Sequence, residues 1–276
     1  MSESKGLIIG ISGCSSSGKT TLARILCSLF PRTFILHEDD FYRAENDLPL
    51  RYGLRDWDCI EALDVTAMHH MLRQIKTTGA LPVGQLLGPD ERHELTNPVW
   101  TRQASFDSKE DQNSVGKCPV SDAHLGIVRQ RVDAWLADGD VGRAYAAGNG
   151  PSVCLMDGFL LFTPALQDVM DTMDAKLFLR VSREKASQRR CARDGYVTLE
   201  GFWQDPPGYM DKIVWPNYVQ AHAWLFKDGD VQGEIDTDKA QENNIKVQSD
   251  GLDVDMETTL SWAVEQVIAT IEAAHH

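Results

Sequence analysis

The chain has 276 residues, 42% of them hydrophobic, and a formal net charge of -14. This length and composition allow one large α/β domain or two small ones, and we favour a single domain over residues 1–276 that contains an insertion. Nucleic acid is disfavoured as a partner, because binding to a polyanion depends on basic surface.

The first predicted elements are a strand and a helix joined by a glycine-rich turn. Leu7 to Ser12 is an apolar run short enough for a buried strand, and apolar residues then recur at helical spacing, at Leu22, Ile25, Leu26 and Leu29. Between them, GCSSSGKT (13–20) fits the pattern G-x-x-x-x-G-K-[ST] of the phosphate-binding P-loop. A flexible Gly/Ser loop is the alternative, but the strand and helix around the motif favour a nucleoside triphosphate site.

The residue types of this loop suit a phosphate chain. Small residues let the backbone wrap closely round the phosphates, which bind the loop N–H groups and the helix N-terminus. Lys19 would reach the β- and γ-oxygens, and the Thr20 hydroxyl would ligate Mg2+. The predicted ATP-binding residues of the loop are Gly13, Ser15, Ser16, Ser17, Gly18, Lys19, Thr20 and Thr21.

Apolar strands alternate with amphipathic helices along the rest of the chain. Strands are predicted at 34–38, 152–156, 175–181 and 244–247, and helices at 62–77, 182–194, 215–226 and near the C-terminus. Such alternation indicates a parallel sheet with helices on both faces. From about 79 to 149, polar residues, Gly and Pro dominate and only 121–137 has a helical pattern, so we interpret this region as an inserted, irregular segment.

Acidic residues follow two of the predicted strands. In FILHEDDFY, Asp39 and Asp40 lie at the carboxyl end of a strand beside the P-loop, where ligands of doubly wound sheets bind. One carboxylate could accept the proton of an attacking hydroxyl, while the other helps to hold magnesium. Asp157 ends a later strand and is placed like a further acidic magnesium partner. Plain solvated turns are the alternative at both positions.

Basic residues concentrate in the helix predicted at 182–194. Helical spacing brings Arg189, Arg190 and Arg193 close together, and such a cluster could neutralise the transferring phosphoryl group from a lid, about 183–212, that closes over ATP. A solvated helix face is the alternative. P-loops also serve GTPases and motor ATPases, but the guanine-reading N-K-x-D motif is absent and the acidic pair suits an alcohol acceptor.

Apolar runs and cysteine spacing bear on the cellular location of the protein. No apolar run approaches the roughly 20 residues that span a bilayer, and the start MSESKG lacks the apolar core of a signal peptide. The six cysteines are scattered without C-x-x-C pairs, so neither a zinc site nor a disulfide framework is indicated. We expect a protein without membrane attachment, in the cytoplasm or alternatively the nucleus.

Several motifs occur together in an order typical of one family: GISGCSSSGKTTLA, EDDFY, DWDCIEALD, DGFLLF, RRCAR and PPGYMDKIVWPNY. On these motifs the chain resembles the nicotinamide riboside kinases over most of its length outside 79–149. The resemblance implies an NMP-kinase-like P-loop fold, with five parallel strands and a lid helix. It also implies ATP- and Mg2+-dependent phosphorylation of the 5'-hydroxyl of nicotinamide riboside, and of nicotinic acid riboside as a further substrate. A uridine or cytidine kinase is the alternative enzyme, and a nucleotide-dependent switch or an inactive P-loop adaptor is the alternative outside catalysis.

The resemblance implies roles for individual residues. Asp39 would contact the 5'-hydroxyl as base, with Asp40 beside it on the substrate side and Lys19 as the other catalytic residue. An aromatic–acidic pair would grip the nucleoside, Arg190 would contact the ribose or the phosphates, and Asp205 would contact the substrate. The pair falls on Trp57 and Asp58, the second stacking ring on Tyr196 or Trp203, and the magnesium ligands on Thr20, Asp39 and Asp157.

Overall fold

The computed structural model describes residues 5–81, 118–192, 196–198 and 201–275. Its strands are β1 (Gly6–Gly13), β2 (Thr33–His37), β3 (Leu50–Arg51), β4 (Leu54–Arg55), β5 (Ser152–Gly158), β6 (Ala175–Leu179), β7 (Tyr196–Thr198), β8 (Gly201–Trp203) and β9 (Ile245–Val247). Its α-helices are α1 (Lys19–Leu29), α2 (Val65–Thr78), α3 (Asp122–Ala137), α4 (Asp140–Ala146), α5 (Gln167–Met170), α6 (Arg183–Cys191), α7 (Trp215–His222), α8 (Thr237–Glu242) and α9 (Met256–Ala273).

The centre of the fold is a five-stranded parallel sheet in the order β2-β5-β1-β6-β9. Every residue of β1, β5 and β6 is buried. Strands buried on both faces contain continuous apolar runs, which is why these three could be found in the sequence. The sheet confirms the predicted P-loop kinase architecture of five parallel strands with helices around them.

Helices cover both faces of the sheet, and the alternation of side chains along β1 separates the two cores. Leu7, Ile9 and Ile11 belong to a buried cluster that α1, α3, α4 and α9 complete. Ile8, between them, belongs to the cluster on the opposite face, with residues of α2, α5 and α7. The P-loop therefore leaves a strand that is fixed by packing from both sides.

Residues 118–149, the second part of the predicted insertion, contain two helices. The first, α3, matches the predicted helix at 121–137, and the hydroxyl of Ser121 caps it by accepting the His124 N–H. The second, α4, was not predicted, because it is short and buries only Gly142 and Tyr145, too few residues for a recognisable apolar stripe. The Tyr145 hydroxyl donates to the Pro31 carbonyl over 2.6 Å, which ties α4 to the loop before β2. Residues 82–117 of the predicted insertion lie outside the described residues.

The segment predicted as a lid, about 183–212, contains three kinds of structure. Helix α6 is followed by the β7–β8 hairpin, which was not predicted, and then by a π-helical turn, Met210–Val214, that runs directly into α7. π turns are rare and are frequently found at functional sites. Within the described ranges, no helix has both the length and the apolar character needed to cross a bilayer.

Candidate active site

Two glycines fix the path of the P-loop between β1 and α1. Gly13 has a φ of +148°, and a Cβ there would lie 2.3 Å from the carbonyl oxygen of Leu179 on β6. Gly18 has a φ of +99°, and a Cβ there would lie 2.5 Å from the Cε of Met256. Both positions have a positive φ that favours glycine, and at Gly13 the backbone of β6 also approaches too closely for a side chain, whereas the atom near Gly18 is the end of the flexible Met256 side chain. The two motif glycines are therefore explained by geometry.

Lys19 and the loop serines surround the predicted phosphate position. Lys19 is buried, and its Nζ donates to the Cys14 carbonyl over 2.9 Å. Burial lowers the pKa of Lys19, and the charge of Asp157 opposes that fall. The hydroxyls of Ser16 and Ser17 are buried and find no hydrogen-bond partner in the part of the chain that the structure describes. Because buried polar atoms are normally paired, these hydroxyls fit a loop that binds an anion. The remaining predicted loop residue, Thr21, is buried in α1.

Thr20, Asp157 and His37 are hydrogen-bonded where β2 and β5 end. Thr20 Oγ1 donates to Asp157 Oδ2 over 2.5 Å, and His37 Nδ1 contacts Asp157 Oδ1. Burial alone would raise the pKa of Asp157, but His37 and Thr20 hold it below its usual value. Burial alone would lower the pKa of His37, but Asp157 raises it to about 9. Both shifts favour a carboxylate at Asp157 and a cation at His37.

The donor set fits a magnesium ion shared with a substrate. Hydroxyl and carboxylate oxygens are ligands that Mg2+ takes, and it usually completes its shell with water and phosphate oxygens. Among the residues described, no three His, Cys, Asp or Glu side chains converge as a metal site. Thr20 and Asp157 therefore suit an ion that a triphosphate completes, rather than one caged by protein.

The acidic pair after β2 lies on a 3-10 helix, Glu38–Phe41. Asp40 caps this turn, because its Oδ2 accepts the His37 N–H over 3.0 Å. Glu38 is completely buried, and its Oε2 accepts the N–H of Phe159 at 2.6 Å and that of Leu160 at 3.1 Å. Burial raises the pKa of Glu38 to about 8. Glu38 and Asp40 thus hold the segment in place, and Asp39 and Asp40 are both exposed. The assignment of the base to Asp39 stays a prediction.

Arg190 joins two predicted nucleoside-binding carboxylates to the P-loop. Its guanidinium donates to both Asp58 oxygens at 3.0 and 3.2 Å, and to both Asp205 oxygens at 2.6 and 3.1 Å. It also donates to Ser15 Oγ at 2.8 Å and lies 5.5 Å from the centre of the Tyr209 ring. Burial raises the pKa of Asp58, and Arg190 opposes the rise. The structure therefore brings four predicted site residues together.

The other two arginines of the predicted basic cluster are placed differently. Arg189 is exposed, and its guanidinium donates to the Ser16 carbonyl over 3.2 Å. It therefore contacts the P-loop backbone beside Arg190, and its predicted contact with phosphate stays a prediction. Arg193 lies outside the described residues.

An aromatic cluster adjoins the Arg190 network. The Trp57 ring centre lies 5.2 Å from that of Tyr42, edge to face, and 5.9 Å from that of Trp203. Trp203 donates its Nε1–H to Asp205 over 3.2 Å, and its backbone pairs with Tyr196 across the β7–β8 hairpin. Trp57 is only 7% exposed, and its Nε1 has no partner within the described ranges. A stacking role for Trp57, and for Trp203 or Tyr196, stays a prediction.

Four residues that organise the site have no role predicted from the sequence: His37, Glu38, Asp56 and Asn217. His37 and Glu38 were included in the predicted strand FILHE, although polar residues at the carboxyl end of a strand signal a ligand edge. Asp56 and Asn217 lie in the quoted motifs DWD and VWPNY, but nothing in the sequence indicates that they pair. Their contact joins positions 161 residues apart, which periodicity does not reveal.

The fold and this edge of the sheet define a P-loop kinase. A phosphate-binding loop meets carboxylates there, and phosphoryl transfer to an alcohol requires both.

No family model matches the chain. It is 30% identical over 268 residues to the nicotinamide riboside kinase of Schizosaccharomyces pombe, covering 97% of this chain and 99% of that protein. It is 31% identical over 276 residues to the nicotinamide riboside kinase of Saccharomyces cerevisiae, covering 97% and 98%. Nicotinamide riboside kinase 2 of Mus musculus is 25% identical over 224 residues, covering 81% and 83%. The chain belongs to the nicotinamide riboside kinase family, as its motifs predicted.

Proposed function

We propose that the protein transfers the γ-phosphoryl group of ATP to the 5'-hydroxyl of nicotinamide riboside, forming nicotinamide mononucleotide and ADP for NAD salvage. The activity extends to nicotinic acid riboside. Family membership supports this substrate class. The supporting structural observation is the network in which Arg190 contacts Ser15 of the P-loop and the carboxylates Asp58 and Asp205. Through it, the phosphate side and the nucleoside side of the site adjoin each other.

On the phosphate side, the P-loop backbone and its serines bind the triphosphate, and Lys19 places its charge on the β- and γ-oxygens. Arg189, Arg190 and Arg193 act from the lid, where they neutralise charge on the phosphoryl group in transfer. Thr20 and Asp157, with Asp39 at the adjacent strand end, would hold Mg2+, which supplies further positive charge to the phosphate oxygens. Asp39 accepts the proton of the 5'-hydroxyl, with Asp40 beside it.

On the nucleoside side, Asp58, Arg190 and Asp205 bind the ribose, and Trp57 stacks on the base with Trp203 or Tyr196. The charge of this region favours nicotinamide riboside over uridine. In the connected group of Asp56, Asp58, Asp205, Arg51 and Arg190, the carboxylates outnumber the guanidinium groups. A cationic pyridinium ring gains from this excess and from the aromatic faces, whereas a neutral pyrimidine does not.

The test is a kinase assay on the purified full chain. ATP and Mg2+ are incubated with nicotinamide riboside, nicotinic acid riboside, uridine or cytidine, and the nucleotide product is quantified by chromatography. We expect the highest kcat/KM with nicotinamide riboside. Lys19→Met, which keeps the buried aliphatic stem, should abolish turnover with little change in melting temperature. A preference for uridine or cytidine would make the protein a pyrimidine nucleoside kinase, and no turnover of any riboside would favour a switch or an inactive adaptor.

Two further proposals concern organisation and location. We propose that residues 1–276 form one kinase domain, with the lid at about 183–212, because both described cores pack on the same sheet. We propose a cytoplasmic location, because all six cysteines are free thiols, as expected in a reducing compartment.

A further inference from the structure

Asp56 immediately precedes the predicted nucleoside-binding pair and is completely buried. Its Oδ2 accepts from Arg51 Nε at 2.9 Å, and its two oxygens accept from Asn217 Nδ2 at 2.9 and 3.0 Å. Its Oδ1 also accepts the backbone N–H of Asp58 at 3.0 Å. A carboxylate without exposed surface is tolerated only with such partners. The partners tie β3, α7 and the site segment to one side chain.

These contacts fix the backbone from which the nucleoside-binding side chains project. The Asp58 N–H is held by Asp56, and the preceding N–H, that of Trp57, donates to the Tyr209 hydroxyl over 2.9 Å. The same hydroxyl donates to the Arg55 carbonyl over 3.1 Å. Both backbone donors of the Trp57–Asp58 pair are therefore satisfied by buried oxygens. This leaves the Asp58 carboxylate directed at Arg190.

We propose that Asp56 is a positioning residue for the nucleoside, acting through Asp58 and its contact with Arg190. This inference rests on the proposed nucleoside kinase function. Within the described residues, the hydrogen bonds of the Asp56 side chain go to Arg51, Asn217 and the Asp58 backbone, and not to Lys19, Thr20 or Asp157. Its loss should therefore weaken nucleoside binding far more than ATP binding.

Arg51 offers a way to separate positioning from simple packing. Its Nη1 donates to Asn217 Oδ1 over 3.2 Å, while its Nε donates to Asp56. Arg51 therefore touches both members of the Asp56–Asn217 pair. Exchanging the two, as Asp56→Asn with Asn217→Asp, keeps one carboxylate, one amide and the same counter-ion in nearly the same volume. In the wild type the amide of Asn217 donates to the carboxylate of Asp56, and in the exchanged variant the amide at position 56 would donate to the carboxylate at position 217.

The experiment measures KM for the riboside and for ATP, together with the melting temperature. In Asp56→Asn, an amide NH2 group, which can only donate, replaces a carboxylate oxygen that faces the donors of Arg51, Asn217 and the Asp58 backbone. We therefore expect the riboside KM to rise about tenfold and the ATP KM to change less than about twofold. The exchanged double variant should return the riboside KM to within about threefold of wild type. Asn217→Ala removes the amide that donates to Asp56 and keeps the Asp56 carboxylate, so it should also raise the riboside KM more than the ATP KM. This variant replaces Asp56→Asn in the test if Asp56→Asn fails to fold.

The matched control is Asp174→Asn, at the opposite end of the sheet. Asp174 accepts the Ile8 N–H at 2.8 Å and the Lys76 ammonium at 2.6 Å, so its loss should lower the melting temperature and leave both KM values unchanged. Equal rises in both KM values for Asp56→Asn, or a folded double variant without recovery, would overturn the proposal. The assay uses whichever riboside the wild type prefers, so a wild type that prefers uridine would refute the proposed substrate without deciding the role of Asp56.

Discussion

Replacing Arg190 with alanine should destabilise the protein severely, because it strips two carboxylates of their shared counter-ion. The Arg190 side chain is 6% exposed and that of Asp58 is 5% exposed, whereas that of Asp205 is 22% exposed. Removing one partner of a buried ion pair costs about 3–5 kcal/mol, because the other charge is left buried. For a chain of this size, each kcal/mol lowers the melting temperature by about 2–4 °C. We therefore expect Arg190→Ala to melt about 10 °C below wild type.

The assay is thermal unfolding followed by circular dichroism, with urea unfolding as a second measure of the free energy. Arg189→Ala is the matched control, because Arg189 is the neighbouring arginine on α6, is exposed and makes a backbone contact at 3.2 Å. Its loss should cost less than about 1 kcal/mol. Arg190→Lys should fall between the two, since an ammonium keeps the charge but not the bidentate geometry. A melting temperature for Arg190→Ala equal to that of Arg189→Ala would refute the reasoning.

Three further predictions concern the base, the stacking ring and a buried histidine. Asp39→Ala should lower kcat by about 10²- to 10⁴-fold with ATP binding retained in calorimetry, and a more severe loss in Asp40→Ala would exchange the assignment of the base. Trp57→Leu should reduce kcat/KM several-fold more for nicotinamide riboside than for uridine, because only the cation gains about 0.5–2 kcal/mol from the indole face; equal losses with a lowered melting temperature would indicate a packing role alone. Burial lowers the pKa of His222 from 6.5 to about 4, so the unfolded chain takes up a proton at a higher pH than the folded protein does. The free energy of unfolding is therefore unaffected by this group above pH 6.5, and it falls by up to about 3 kcal/mol as the pH decreases from 6.5 towards 4. His222→Gln should flatten that part of the stability curve in urea unfolding at several pH values, and an unchanged curve would contradict this origin.

The sequence predicts the elements that have a strong local signal. β1, the P-loop and α1 follow from an apolar run, a motif and a helical stripe, and all three are found where predicted. The β7–β8 hairpin and α4 have no such signal, because the hairpin strands are three residues each and α4 buries only two residues. Short elements of this kind are stabilised by tertiary contacts, which periodicity does not describe.

The candidate site shows the same division between local and long-range information. Motifs identify Asp58, Arg190 and Asp157 as individual residues, but not their partners. The Arg190–Asp58 pair spans 132 residues and the His37–Asp157 pair spans 120. Trp57 is likewise covered by Tyr42 and Trp203, which come from other parts of the chain. Pairings of this kind depend on the sheet order, which a single sequence does not specify.

The π turn Met210–Val214 makes the helix around it sensitive to length. It lies between Tyr209, which holds the Trp57 N–H, and Asn217, which holds Asp56. A π turn holds about one residue more than an α turn, because its hydrogen bonds run i→i+5. Rewinding the same residues as regular α-helix would therefore change the angular phase of Tyr209 relative to Asn217 by nearly the roughly 100° that one residue contributes, and the two anchors could no longer reach neighbouring positions of the same segment. Deleting one residue as the turn becomes α-helical would nearly restore this phase, so the turn should tolerate a single-residue deletion better than a single-residue insertion.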